Sequence, residues 1–251
     1  MRIKQARISK GIIAFKEAYL KKFNLVEGSN RHEPIVLFGM YNPADFQYYL
    51  SHTDAMVVVW CGTDSLMLTM DRSKMLKSKY AIHIAKSNFI STDLDKYGIV
   101  HTVLPISWQL PDLQACPRGE NIFHYGNSRR NNFYGESYLS AIQQRTGFKI
   151  IGAQINTYTK EQLIEIYRSC FIGLRLTKHD GVPNTVVELG MMGRRCIYNG
   201  DLPNAIPWKG VDDICESVIK EYNHRDADDT VLIEQAVKKY IDIGDGWLNY
   251  E

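Results

Sequence analysis

"TKHDGVPNTVVELGMMGRR", residues 177–195, decides the reading of this chain. It grows out of an apolar run, "FIGLRLT" (171–177), and leads into another, "RRCIYNG" (194–200), both with strand composition. Between them lies a Gly-Val-Pro-Asn turn and then a helical stretch. Asn184 is a good N-cap, the helix is expected from about Thr185 to about Met192, and Gly193 is placed to end it. The backbone N–H groups of Thr185 to Val187 would then lack helical partners, an anion site suited to a diphosphate. Two acids bracket this turn, Asp180 before it and Glu188 one turn into the helix. Each would favour the helix N-terminus by about 0.3–1 kcal/mol. Carboxylates also accept hydrogen bonds from vicinal hydroxyls, such as a sugar and a ribose at opposite ends of a diphosphate. The spacing alone leaves both readings open.

Outward from this stretch the pattern repeats. "IVLFGMY", "AMVVVWCG", "YAIHIAKSN" and "IVHTVLPIS" in the first half, and "NIFHYGN" and "FKIIGAQ" in the second, are short apolar strand candidates. Helical segments alternate with them: 10–23, 42–52, a short one before Gly98, 134–147, 159–170, 211–223 and 228–244. Residues 108–120 hold two prolines and a glycine and read as a linker. Strand–helix alternation implies parallel sheets covered on both faces. The expected fold is α/β, with two Rossmann-like βα domains facing a cleft, and ligands bound beyond the carboxyl ends of the strands. The expected boundaries are 1–110, 111–228, and a C-terminal helix, 229–251, packing back on the first domain.

"HDGVPNTVVELGMMGRRCIY" resembles the donor-site motif of retaining GT-B glycosyltransferases, especially family 4-like (group 1) enzymes. Glu188, Gly193 and the strand after them match, while Asp180 stands where that family usually has Glu. "TKEQLIEIYRSCFIGLRLT" resembles the family's helix–strand lead-in, and "IFHYGNSRRNNFYGESYLSAI" its second-domain strand and phosphate loop. The resemblance covers roughly residues 80–222. It implies a GT-B fold with a reduced N-terminal, acceptor-side domain and a C-terminal nucleotide-sugar-binding domain. It also implies transfer of a hexosyl or pentosyl group from a nucleotide-diphosphate sugar to a glycan, lipid or other hydroxyl acceptor. Retention of configuration and no essential metal or other cofactor go with it. Carried over residue by residue, Asp180 would contact the sugar hydroxyls and Glu188 the donor ribose. Gly181, Val182, Pro183 and Asn184 would line the sugar pocket, and the amides of Thr185 and Val186 would hold phosphate. Gly126 opens the phosphate loop, in which Arg129 and Arg130 are the available cations and Tyr134 occupies the usual Lys position. A guanidinium there would stabilise the departing diphosphate. Tyr41, Trp60 and Asp64 follow or end predicted strands and are candidate acceptor-site residues. The alternatives are a core Trp60 and a helix-capping Asp64. The small size would suit a viral or phage enzyme.

Composition narrows the rest. With 45% hydrophobic and 23% charged residues the chain reads as globular, and no apolar run reaches membrane-spanning length. Five scattered cysteines without a C-x-x-C pair argue for reduced thiols and against a zinc site, hence a cytoplasmic location, the host's if viral. Residues 1–30 carry seven Lys/Arg against two Glu. That segment reads as a solvated helix face, with an anionic surface, an acceptor or a nucleic acid as the alternative partner, and the sequence shows no nucleic-acid motif. The G-x-G-x-x-G of a nicotinamide-dependent oxidoreductase is absent. A non-catalytic nucleotide- or sugar-binding module of the same fold is the alternative to transfer.

Overall fold

A computed structural model describes residues 2–107, 112–126, 132–154 and 157–249. Chain contacts divide them into two units. One comprises Met1–Leu110, His179–Val182 and Ile241–Glu251; the other comprises Pro111–Lys178 and Pro183–Tyr240.

The N-terminal unit holds a six-stranded sheet. Its strands are β1 (Gln5–Ile8), β2 (Val26–Glu27), β3 (Ile35–Phe38), β4 (Met56–Trp60), β5 (Ile82–Ala85) and β6 (Thr102–Val103), in the order β2-β1-β3-β4-β5-β6. Every neighbouring pair is parallel. The apolar runs explain the central strands, because both faces are buried. Val36, Phe38, Val57 and Val59 enter one core, while Leu37, Val58 and Trp60 enter the other. The helices of this unit are α1 (Lys16–Phe23), α2 (Pro43–Ser51), α3 (Met70–Lys77) and α4 (Asn88–Lys96). Asn42 and Asp45 form a capping box at α2, and the Thr69 and Ser87 hydroxyls cap α3 and α4.

The C-terminal unit holds a five-stranded parallel sheet in the order β11-β10-β9-β7-β8. Its strands are β7 (Asn121–Gly126), β8 (Ile150–Gln154), β9 (Cys170–Leu174), β10 (Arg195–Ile197) and β11 (Ala205–Ile206). Its helices are α5 (Leu139–Thr146), α6 (Lys160–Arg168), α7 (Asn184–Met191), α8 (Val211–Asn223) and α9 (Thr230–Ile241). β9 is central and fully buried. α7 leaves its carboxyl end after a short loop and stops at Gly193, whose φ of 82° is the left-handed conformation a helix end needs.

The expected α/β class with parallel sheets is what forms. Several elements differ from expectation. β1, β2, α3 and β11 were not anticipated, and the expected helix over 10–23 is a 3₁₀ turn, Lys10–Phe15, followed by α1. Ile12 breaks it, with φ −130° and ψ 23°. The C-terminal helix α9 counts with the C-terminal unit up to Tyr240. Only the tail from Ile241 counts with the N-terminal unit, where the Trp247 ring meets Phe23 edge-on at 5.2 Å. Among the described residues no helix is long and apolar enough to cross a membrane.

Candidate functional site

In the C-terminal unit the carboxyl ends of β9 and β7 and the start of α7 gather the polar groups. Pro183 is the N-cap of α7, in extended conformation with φ −74° and ψ 125°. This corrects the assignment of Asn184 as the cap: the proline fixes an extended backbone, and the helix begins one residue earlier than its side chains suggest. The Pro183 carbonyl accepts from Val186 N at 3.1 Å and Val187 N at 3.2 Å. The amides without a helical partner are therefore those of Asn184 and Thr185, not those of Thr185 to Val187. Thr185 Oγ1 is buried and makes no hydrogen bond among the described residues. A hydroxyl and two amides thus stand ready at a helix N-terminus.

Glu188 sits one turn further on. Its Oε2 accepts from the Tyr167 hydroxyl at 2.8 Å. Burial raises its pKa, opposed by the Tyr167 hydrogen bond and by Lys160. Tyr167 is itself buried, packed edge-on against Phe123 at 4.9 Å. One carboxylate oxygen is therefore fixed by a rigid phenol, and the remaining lone pairs are what Glu188 has to offer a ligand.

Arg175, the residue after β9, was not singled out from the sequence. It is 8% exposed, and its guanidinium carbon lies 4.4 Å from the ring centroids of both Tyr125 and Tyr134. Those rings meet at 90° and 5.0 Å, so the cation rests in the notch between two π-faces. Its positive charge also lowers the pKa of the His124 imidazole, where burial is the larger cause. The signal was present in "FIGLRLT": an arginine inside an otherwise apolar strand run. Tyr134 supplies one wall of this notch. Gly126 ends β7, where an added Cβ would stand 3.2 Å from His124 Cε1 and 3.4 Å from Glu136 Oε1. Arg129 and Arg130 lie outside the described residues.

Asp180, Gly181 and Val182 count with the N-terminal unit. Asp180 Oδ1 accepts from Gly181 N at 2.9 Å, and its carbonyl accepts from Ser87 Oγ at 2.8 Å. Neighbouring His179 bonds through Nε2 to Asp93 at 2.8 Å and to Ser65 at 3.2 Å. Burial opposes ionisation of Asp93, but Lys96, Ser65 and His179 outweigh it and hold its pKa below the usual value. Gly181 is required where it is, because an added Cβ would stand 2.3 Å from the Cys61 carbonyl oxygen.

At the carboxyl edge of this unit's sheet the acceptor candidates take different places. Trp60 is fully buried, its Nε1 donating to His83 Nδ1 at 3.2 Å, so it is a core residue rather than a platform for a sugar ring. Asp64 is also fully buried and accepts from the amides of Met40 and Cys61 at 3.1 Å and Gly62 at 2.8 Å. It ties the loops after β3 and β4 together rather than presenting itself to a hydroxyl. Burial lifts its pKa to about 6 despite those amides. Tyr41 keeps partial exposure, with its ring against Gly11 and Gly39. Lys86, overlooked in the sequence, follows β5, is 2% exposed and donates to the Tyr19 hydroxyl at 2.8 Å. Burial lowers its pKa, while Cys61, Asp64 and Asp180 pull it up.

Among the described residues no group of three or more His, Cys, Asp or Glu is placed to hold a metal ion. No family model matches the sequence, and no curated protein does. Solved structures do match the fold. The crystal structure of TarM superposes with a TM-score of 0.58 at 10% identity, over 90% of this chain and 55% of that one. A mutant of S. aureus TarM in complex with fondaparinux, alpha-GlcNAc-glycerol and UDP gives 0.61 at 9% identity, over 93% and 57%. The GtfA/B complex gives 0.49 at 11% identity, over 93% and 57%. The chain thus spans little more than half the length of these neighbours, and the fold it shares with TarM is that of GT-B glycosyltransferases.

Proposed function

We propose that the protein is a glycosyltransferase that moves a sugar from a nucleotide-diphosphate donor to a hydroxyl acceptor with retention of configuration. The observation that carries this is the set at the carboxyl edge of the C-terminal sheet: two amides and a hydroxyl at the start of α7 that are unbonded among the described residues, Glu188 one turn in, and the Arg175 cation after β9. The amides and Arg175 suit a diphosphate, and Glu188 suits the ribose. Asp180, on the loop before α7, is assigned to the sugar hydroxyls. In the reaction the bond from sugar C1 to the diphosphate oxygen breaks and a bond from C1 to the acceptor oxygen forms on the same face. The acceptor proton leaves with the diphosphate. The charge that grows on the departing oxygen is the largest in the reaction, and Arg175 and the α7 amides are suited to stabilise it. UDP in the TarM complex makes uridine nucleotides the first donors to try.

Calorimetric titration with UDP, GDP, ADP and dTDP tests the donor site. One diphosphate family is expected to bind. Arg175→Ala should weaken that diphosphate at least tenfold while leaving the bare nucleoside within twofold; equal losses for both would remove Arg175 from the phosphate role. No binding of any nucleotide diphosphate would sink the donor site altogether. The burial of Trp60 and Asp64, which takes both acceptor candidates out of reach of a hydroxyl, favours a second reading, a donor-binding module without transfer. Donor binding with no release of diphosphate across an acceptor panel would select it.

A further inference from the structure

The N-terminal unit has a cavity of about 450 Å³ that the donor reading does not use. It is lined by the end of α3 and by the amino ends of β5 and β6, the sheet edge opposite to Asp64 and Lys86. Its volume is in the range of small-molecule sites, roughly 300–1,000 Å³. Leu76, Ile82 and Ile99 supply apolar wall, and Lys77 and Lys79 supply positive charge. Lys77 is exposed, and its Nζ lies only 3.1 Å from where a Cβ on the lining residue Gly98 would stand. Lys79 Nζ donates to the Tyr49 carbonyl at 3.1 Å.

His83 is the decisive group. It lines the cavity although only 6% of it is exposed. Its Nδ1 accepts from Trp60 Nε1, which places the ring proton on Nε2. No hydrogen bond to that Nε2 is made among the described residues. Burial pushes the imidazole pKa down to about 4, so the ring is neutral at pH 7 and Nε2 is a donor only. A neutral N–H and two ammonium groups are all donors. They match a group that only accepts.

We propose that this cavity binds a small organic anion, a carboxylate or phosphate carried on an apolar body, through Lys77, Lys79 and His83. The site is independent of the nucleotide reading. Calorimetric titration of the full chain with phenyl phosphate and with benzoate at pH 7 tests it. At least one probe is expected to saturate with one site per chain, unaffected by excess UDP. The Lys77→Gln/Lys79→Gln double variant should weaken it at least tenfold. Phenyl phosphate alone would assign a phosphate, and benzoate alone a carboxylate. No saturable binding of either probe, or displacement by UDP, overturns the proposal. So does unchanged affinity in the folded double variant, because the lysines would then only complement the C-terminal end of α3. Should the double variant not fold, Lys77→Gln alone, at an exposed side chain, is titrated in its place and read in the same way.

Discussion

Glu188 is held in two opposing ways. Burial favours its neutral form, and the Tyr167 hydroxyl favours the ionised one, with burial ahead. Its folded pKa lies above the unfolded value, so the folded state binds the proton more tightly. Stability therefore falls as pH rises from the ordinary glutamate range through the folded pKa, and above it the buried charge is a net cost. Glu188→Gln removes that cost and still offers Tyr167 an acceptor. Its melting temperature at pH 7 should equal or exceed wild type, and its advantage should shrink toward pH 4. Uridine affinity should fall about tenfold or more, as expected when a charge-assisted hydrogen bond of roughly 1.5–3 kcal/mol is lost. Calorimetry at both pH values with nucleoside titration checks this; a lower melting temperature at pH 7 would make Glu188 an anchor for Tyr167 instead. At this scale the sequence was partly legible. Glu188 stood out because its spacing from a Pro-Asn turn marks a helix start. Arg175 did not, because a lone cation in an apolar run announces a site only once Tyr125 and Tyr134 are seen around it. Asp64 looked available because burial of its carboxylate by the Met40, Cys61 and Gly62 amides leaves no trace in the local sequence.

Among elements, the segment 112–120 shows what composition conceals. Its proline and glycine mark irregular backbone correctly, yet it is held firmly. Arg194, fully buried, donates to the carbonyls of Cys116 at 3.1 Å and Pro117 at 2.6 Å, to Cys170 at 3.2 Å, and to Met192. One guanidinium thus satisfies backbone from the linker, from β9 and from the end of α7 at once. In "RRCIY" it reads only as the start of a strand, since its partner Cys116 is 78 residues away. Arg194→Met keeps the apolar stem but orphans several buried carbonyls, each worth about 1–3 kcal/mol. The variant should lose roughly 3 kcal/mol or more in urea unfolding. A loss below about 1 kcal/mol would mean that the linker carbonyls find other donors.

For the whole molecule, the βα alternation and the parallel sheets were legible because β3, β4 and β9 are buried on both faces and read as unbroken apolar runs. β1 was not, although it pairs with β3 over four residues. Only Ala6 and Ile8 of its four residues are buried, and its Gln and Arg hide the alternation in a charged segment. The C-terminal segment was expected to pack back on the first domain as a helix over 229–251, but only the tail from Ile241 counts with that unit. Leu248 is fully buried, its carbonyl accepts from Ile3 N at 3.0 Å, and Trp247 packs edge-on against Phe23 at 5.2 Å and Phe38 at 6.2 Å. The Arg2–Asp245 pair at 2.7 Å is largely exposed and adds little. Deleting residues 244–251 removes a buried leucine and an aromatic lid together, about 3–5 kcal/mol. All of these contacts lie within the N-terminal unit. Hydrogen exchange should therefore accelerate in peptides carrying β1 and β3, while peptides carrying β7 and β9 keep their protection and UDP affinity stays within twofold. Equal acceleration in both sheets would show that the tail secures the C-terminal unit as well, and that the two sheets unfold as one.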